Sequence, residues 1–281
     1  MATNQMRREA AKRKLARQQE RRALQAKRRK QITMITSAAV VVVVVVAVVL
    51  LTTLGGSGGS ADTTDPAAAG ISPERIPTDS APLPTRPTAL PATVNCAYPA
   101  SGDAARPVQP PATADISAQG TVPVTLETSS GAIPLTLDRA LAPCTVNSFV
   151  SLAQQGYFDG TGCHRLTTSA GLQVLQCGDP TGTGGGGPGY TFADETFPEL
   201  TYGRGLLAMA NAGPDTNGSQ FFMIYGDAQL PPNYAVFGSI SADGLAVIDR
   251  IAQAGHDGSL DPVPGGGKPL LPVTIEKAAV Q

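Results

Sequence analysis

Gly205 to Phe222 reads GLLAMANAGPDTNGSQFF, two apolar runs separated by turn residues. Leu206–Asn211 and Gln220–Ile224 are short strand candidates, and the Gly, Pro, Asp and Asn between them continue neither. Asn217-Gly218-Ser219 matches a glycosylation acceptor, but inside a turn of this composition chance accounts for it. Further short strand candidates lie around this stretch: Cys163–Thr167, Gln173–Cys177, Ala235–Ser239 and Leu271–Glu276. Upstream, Val122–Glu127 and Ile133–Asp138 alternate apolar and polar residues across Ser129-Ser130-Gly131 and predict a hairpin. Pro143–Gln155 predicts a helix, with Pro143 in its first turn, Val146, Phe149, Val150 and Ala153 on one face, and Gly156 after it. Asp243–Ala254 predicts a second helix, with Leu245, Ile248 and Ile251 inward and Gly255 at its end. Two helices and about eight strands define an all-β-dominated fold, a closed antiparallel β-barrel capped by two α-helices.

The N-terminal part has a different composition. Residues 1–31 carry twelve Lys or Arg against Glu9 and Glu20, while the rest of the chain carries nine against twenty acidic residues. The net charge of −1 conceals that division, which excludes one uniform body and a basic catalytic domain that grips nucleic acid. Ile32–Leu54 is an uncharged run containing Val40 to Val46 without a break. As a helix it would span about 35 Å, enough for a hydrocarbon core of about 30 Å. It predicts one transmembrane helix, and the basic flank Arg7–Lys30 predicts a cytoplasmic N-terminus and an extracytoplasmic C-terminal domain. No clean Ala-x-Ala site follows, as a cleaved export signal would require. The same flank is explained by topology and anionic headgroups, so no nucleic-acid partner is expected. Eleven prolines between Pro66 and Pro111 and the run Gly55–Ser60 predict a disordered Gly/Pro/Ala-rich linker over 55–93. Residues 94–120 read as an extended lead-in, and 121–281 as the folded domain.

Residue identities then add to periodicity. Gly162-Cys163-His164-Arg165-Leu166, followed by Leu175-Gln176-Cys177-Gly178-Asp179-Pro180, resembles the cyclophilin pattern in which F-H-R precedes Q-G-G-D. Gly205–Phe222 resembles the most specific signature of that family, and Leu230–Gly238 resembles the segment closing its pocket. The resemblance runs from Thr121 to about Val280 and implies a membrane-anchored peptidyl-prolyl cis-trans isomerase of actinobacterial type, acting on exported or cell-envelope proteins.

The resemblance carries residue roles with it. Arg165 takes the place of the catalytic arginine, and Gln176 and Gln220 match polar residues that bond substrate backbone and steady it. Ala210 and Asn211 match the edge along which the peptide lies. Val174, Phe222, Leu230 and Tyr234 would form the proline pocket, although Phe222 alone reads as a core side chain. Rotation about X-Pro breaks no bond, so neither metal nor cofactor is expected. The implied partners are proline-containing unfolded or extended polypeptides, met by a monomeric domain. The alternative class is a tethered module that binds proline peptides without turnover.

Three departures from the family stand out. Between Arg165 and Gln176 there are three extra residues, which bring Gln173 and Val174 to the pocket's Phe and Met positions. Tyr234 replaces a histidine and Gln229 a tryptophan. Gly182–Gly189, GTGGGGPG, has no Lys-Ser/Thr after it and reads as a mobile loop beside the site rather than a phosphate loop, so Gly184→Ala should be tolerated. His164 reads as a packed strand residue. Cys96, Cys144, Cys163 and Cys177 all follow the apolar run, and four cysteines in an oxidising compartment allow three pairings. Cys163 and Cys177 lie on strands joined by the inserted residues and can face each other, which leaves Cys96 for Cys144.

Overall fold

The computed structural model describes residues 70–281. The basic segment 1–31, the run Ile32–Leu54 and the first part of the expected linker lie outside them. Among the described residues no helix is long and apolar enough to cross a membrane.

Short strands come first: β1 (Thr93–Val94), β2 (Ala100–Ala104) and β3 (Ile116–Ser117). The hairpin follows, β4 (Thr121–Thr128) and β5 (Gly131–Asp138), paired from Thr121 with Asp138 to Thr128 with Gly131. On β4 the strict alternation turns Val122, Val124 and Leu126 inward and leaves Thr121, Pro123 and Glu127 outside. Next come α1 (Pro143–Gln154), β6 (Thr161–Gly162), β7 (Arg165–Ser169), β8 (Leu172–Cys177), β9 (Pro188–Tyr190) and β10 (Leu206–Met209). The chain ends with β11 (Phe221–Ala228), β12 (Val236–Ile240), α2 (Ala242–Ala254) and β13 (Thr274–Val280).

Nine strands form one sheet in the order β6-β13-β4-β5-β12-β10-β11-β8-β7. The expected closed ladder of about eight strands is corrected here, because β6 and β7 are its two edges and do not pair with each other. They are successive pieces of one bent stretch. The Cys163 N–H donates to Val273 O beside β13, and the His164 N–H donates to Gln176 O on β8. The chain itself therefore spans the seam. Four phenylalanines fill the interior: Phe149 lies 4.9 Å from Phe158, 5.2 Å from Phe221 and 5.4 Å from Phe237, centroid to centroid. That concentration gives a tryptophan-free chain its core.

The helices are terminated by different means. Ser241 caps α2 by accepting from the Gly244 N–H at 3.0 Å, and Gly255 ends it at φ +83°. α1 has no cap of its own, and Glu195 supplies one from a distant loop. Its carboxylate accepts from the Cys144 and Thr145 N–H groups and from Thr145 Oγ1 at 2.8–3.0 Å. Burial nevertheless pushes the Glu195 carboxyl above its usual value, against those bonds and the nearby Arg86 charge.

The second correction concerns residues 70–93, expected to belong to a free tether. Ile71 and His256 exchange backbone hydrogen bonds at 3.0 and 3.2 Å, and the Ala81 N–H donates to Arg204 O. Arg86 donates from Nε to Leu141 O at 2.7 Å and from Nη2 to Glu195 O at 3.1 Å, above the Phe197 ring. These single contacts, spaced by prolines, lay the segment on the domain without any helical or strand period. The lead-in is likewise tied down: β1 pairs with β3, and β2 pairs with β9. Cys96 is bonded to Cys144 on α1, and Cys163 to Cys177.

Candidate active site

Register explains why distant residues meet. Arg165 opens β7 opposite Gln176 on β8, and Gln176 lies opposite Phe222 on β11. Directly paired residues project to one face, so Arg165, Gln176 and Phe222 form a row across three strands. Val174 and Leu172 follow on the same face at two-residue intervals. Ala210 and Asn211 continue from the end of β10, and Leu230 and Tyr234 come from the connection between β11 and β12. All of these border one cavity of about 360 Å³.

The polar side is a chain of oriented bonds. Arg165 Nη1 donates to Gln176 Oε1 at 3.1 Å, and Gln176 Nε2 donates to Gln220 Oε1 at 3.0 Å. Gln220 Nε2 then donates to the carbonyls of Gly184 and Gly186 at 2.9 and 3.0 Å. Arg165 has only donors and the two carbonyls only acceptors, so the orientation of both amides is set from either end. Partial burial draws the Arg165 guanidinium below its usual pKa, with Tyr234 and Asp261 opposing. A guanidinium remains charged at neutral pH all the same.

The apolar side is a pair of crossed rings. Phe222, 5% exposed, meets Tyr234 edge to face at 5.6 Å. Tyr202 fixes Tyr234 from behind: its hydroxyl donates to Tyr234 O at 2.9 Å and accepts from the Tyr234 N–H at 3.0 Å. Burial pushes the Tyr202 hydroxyl up to about 12, so it stays protonated and able to donate. No sequence feature marked Tyr202.

Two expectations about the walls change. Gln173 is on the opposite face of β8 from Val174. Its Nε2 donates to Arg75 O, and its Oε1 accepts from the Asp227 N–H. Leu172 lines the cavity in its place, as the alternation of a strand requires. The extra residues do not make a loop but lengthen β7 and β8 up to a two-residue turn at Ala170-Gly171, with Gly171 at φ +86°. Gln220 lines an adjoining cavity of about 460 Å³, which shares Gln176, Ala210 and Asn211 with the first.

The glycine loop expected to be mobile is fastened. The Asp179 carboxylate accepts from the backbone N–H of Thr181, Thr183 and Gly184 at 2.7–3.1 Å. Burial pushes that carboxyl up, but hydrogen bonds from Thr181 and Gly184 outweigh it and leave it below the usual value. His164 packs beneath Gly184 with neither ring nitrogen bonded, and burial lowers its pKa, so it is neutral at pH 7. Phe222→Ala is expected to lower kcat/KM for proline isomerisation by about fivefold or more. Gly184→Ala, at φ +83° and holding Gln220 through its carbonyl, should cost a smaller two- to threefold rather than nothing. Assays on the full chain check both, and the reverse order would place the proline pocket elsewhere.

The cavity thus sets two aromatic rings, Phe222 and Tyr234, beside one guanidinium, that of Arg165. Among the described residues that line it there is no Ser, Thr, Cys or Lys paired with a base. The chain belongs to the cyclophilin type peptidyl-prolyl cis-trans isomerase/CLD family, whose family model matches residues 123–280. It is 55% identical over 197 residues to the probable peptidyl-prolyl cis-trans isomerase B of Mycobacterium tuberculosis, covering 64% of this chain and 62% of the relative. It is 40% identical over 178 residues to the probable peptidyl-prolyl cis-trans isomerase A of Mycobacterium bovis, covering 57% and 92%. A solved cyclophilin type isomerase of Cryptosporidium parvum, in the presence of the dipeptide Ala-Pro, is 33% identical with a TM-score of 0.47, covering 57% and 98%. The match thus spans less than two thirds of the length of the tuberculosis relative.

Proposed function

We propose that this chain is a prolyl isomerase for extended polypeptides, held to a membrane by Ile32–Leu54 and working on its outer side. The observation that carries the activity is Arg165, held by the Gln176–Gln220 chain at the rim of the Phe222–Tyr234 pocket. Rotation about X-Pro loses amide resonance and crosses a barrier of about 18–20 kcal/mol. In the twisted state the nitrogen regains a lone pair. A fixed cation there stabilises the twisted amide more than either planar one, and that difference is catalysis. The rings grip the proline while the Ala210–Asn211 edge holds the chain before it, so the two sides of the bond can turn against each other.

The outer location is supported by the apolar run, its basic flank and the pairing of all four cysteines among the described residues. The full chain in detergent is expected to accelerate a protease-coupled X-Pro assay, and a reporter at its C-terminus to read as extracytoplasmic and resist salt washing. No acceleration would reduce it to a binding module, and a salt-released or cytoplasmic reporter would remove the anchor.

A further inference from the structure

The connection from α2 to β13 reaches Arg165 itself. Arg165 donates from Nη2 to Pro264 O at 2.7 Å and from Nε to Gly265 O at 2.9 Å, across a hundred residues of chain. Pro264 lines the same cavity as Phe222 and Tyr234. Three of the five guanidinium N–H groups are therefore spent inside the protein, counting the bond to Gln176. One N–H on each of Nη1 and Nη2 remains for a substrate amide.

The loop is built to present those carbonyls. Gly267 and Leu166 exchange backbone bonds at 2.8 and 3.0 Å, fastening the loop to β7 one residue from Arg165. Gly265 and Gly266 sit at φ +90° and +84°, and a Cβ on Gly266 would collide with Leu166 O. Leu260 closes the turn, its N–H donating to Gly266 O while its carbonyl accepts from Gly265. Asp261 holds the far side by accepting from the Gly266 N–H through Oδ1 at 2.7 Å. Asp257 clamps the base, accepting from Ser259 and Lys268.

We propose that residues 257–267 complete the active site, with the carbonyls of Pro264 and Gly265 fixing the plane of Arg165 and Asp261 acting as the positioning residue that holds them in place. The physical reason is entropic. An arginine held by one glutamine can swing about its long side chain, and its charge helps only when aimed at the twisted nitrogen. Two further acceptors at fixed spacing remove that freedom before substrate arrives. Asp261 does not border the cavity and makes no hydrogen bond to Arg165; it acts through Gly266 and its neighbours.

The proposal rests on the isomerase reading, so its test includes a measurement independent of turnover. In the full chain in detergent, Asp261→Ala should lower kcat by about fivefold with KM within twofold, as expected for an interaction realised in the transition state. The Arg165 Nε–H resonance should exchange slowly in the parent and at least tenfold faster in this variant. Asp261→Asn keeps an Oδ1 acceptor and should restore both to within about twofold of the parent. Asp261→Ala with parental kcat and a protected Nε–H would overturn the proposal. So would Asp261→Asn as impaired as the alanine, since charge and not the acceptor would then matter. A parent that does not isomerise would overturn the activity alone, and Nε–H exchange would still decide the loop's hold.

Discussion

Arg165→Ala is expected to lower kcat/KM for X-Pro isomerisation by at least tenfold, about 1.4 kcal/mol of lost transition-state stabilisation. Removal of a single preorganised donor at a developing charge costs about a hundred- to a thousandfold elsewhere, which sets the upper end. The loss should appear without unfolding. Arg165 is partly exposed, and the three acceptors it leaves, Gln176 Oε1, Pro264 O and Gly265 O, stand at a cavity rim where water can replace it. A melting temperature within a few degrees of the parent is the control. Arg165→Lys should remain impaired, because an ammonium is a point charge and cannot satisfy three acceptors in one plane while presenting donors to substrate. Full activity of the alanine variant would take Arg165 out of the mechanism, and full activity of the lysine variant would show that charge alone, without the planar fork, is enough.

What could be read from the chain depended on whether neighbours in space were also neighbours in pattern. The hairpin of β4 and β5 was legible because alternation and turn residues are local signals, and both helices declared their ends through Pro143, Gly156 and Gly255. Within the site, the strand residues were legible by resemblance, and the register of β7, β8 and β11 places them in a row. The offset between Gln173 and Leu172 was missed because extra residues can enter a hairpin as a loop or as longer strands. Only the turn at Gly171 shows which occurred.

Residues acting through single long-range contacts were not legible. Glu195 caps a helix fifty residues away, Arg86 reaches Leu141, and Pro264 reaches Arg165. Each lies in a Pro- or Gly-rich or irregular stretch with no period to detect, and composition alone assigned residues 70–93 to a tether. Tyr202 is the same case inside the site: one hydroxyl with two bonds to Tyr234 leaves no mark on the pattern.

Reduction of both disulfides is expected to lower the melting temperature of the folded domain by about 15 °C or more. Cys96 and Cys144 are 48 residues apart with Cα atoms at 5.5 Å, and Cys163 and Cys177 are 14 apart. In the chain-entropy account these spans contribute about 4 and about 3 kcal/mol. The two closed loops share no residues, so the contributions add to about 7 kcal/mol. That is within the whole stability of an ordinary domain, about 5–15 kcal/mol. Cys96, Cys163 and Cys177 are 7%, 6% and 0% exposed, so reduction should be slow in the native state and quicken when the domain opens. Well below the lowered midpoint isomerisation should persist, since none of the four cysteines borders the cavity that holds Arg165 and Phe222. Replacing Cys163 and Cys177 together by serine should remove the smaller share, and Cys96 with Cys144 the larger. Non-reducing digestion and mass spectrometry should yield a 96–144 peptide pair and a 163–177 pair. A midpoint unmoved by reductant, four free thiols, or Cys96 bonded to Cys163 would each overturn the pairing and the stability assigned to it.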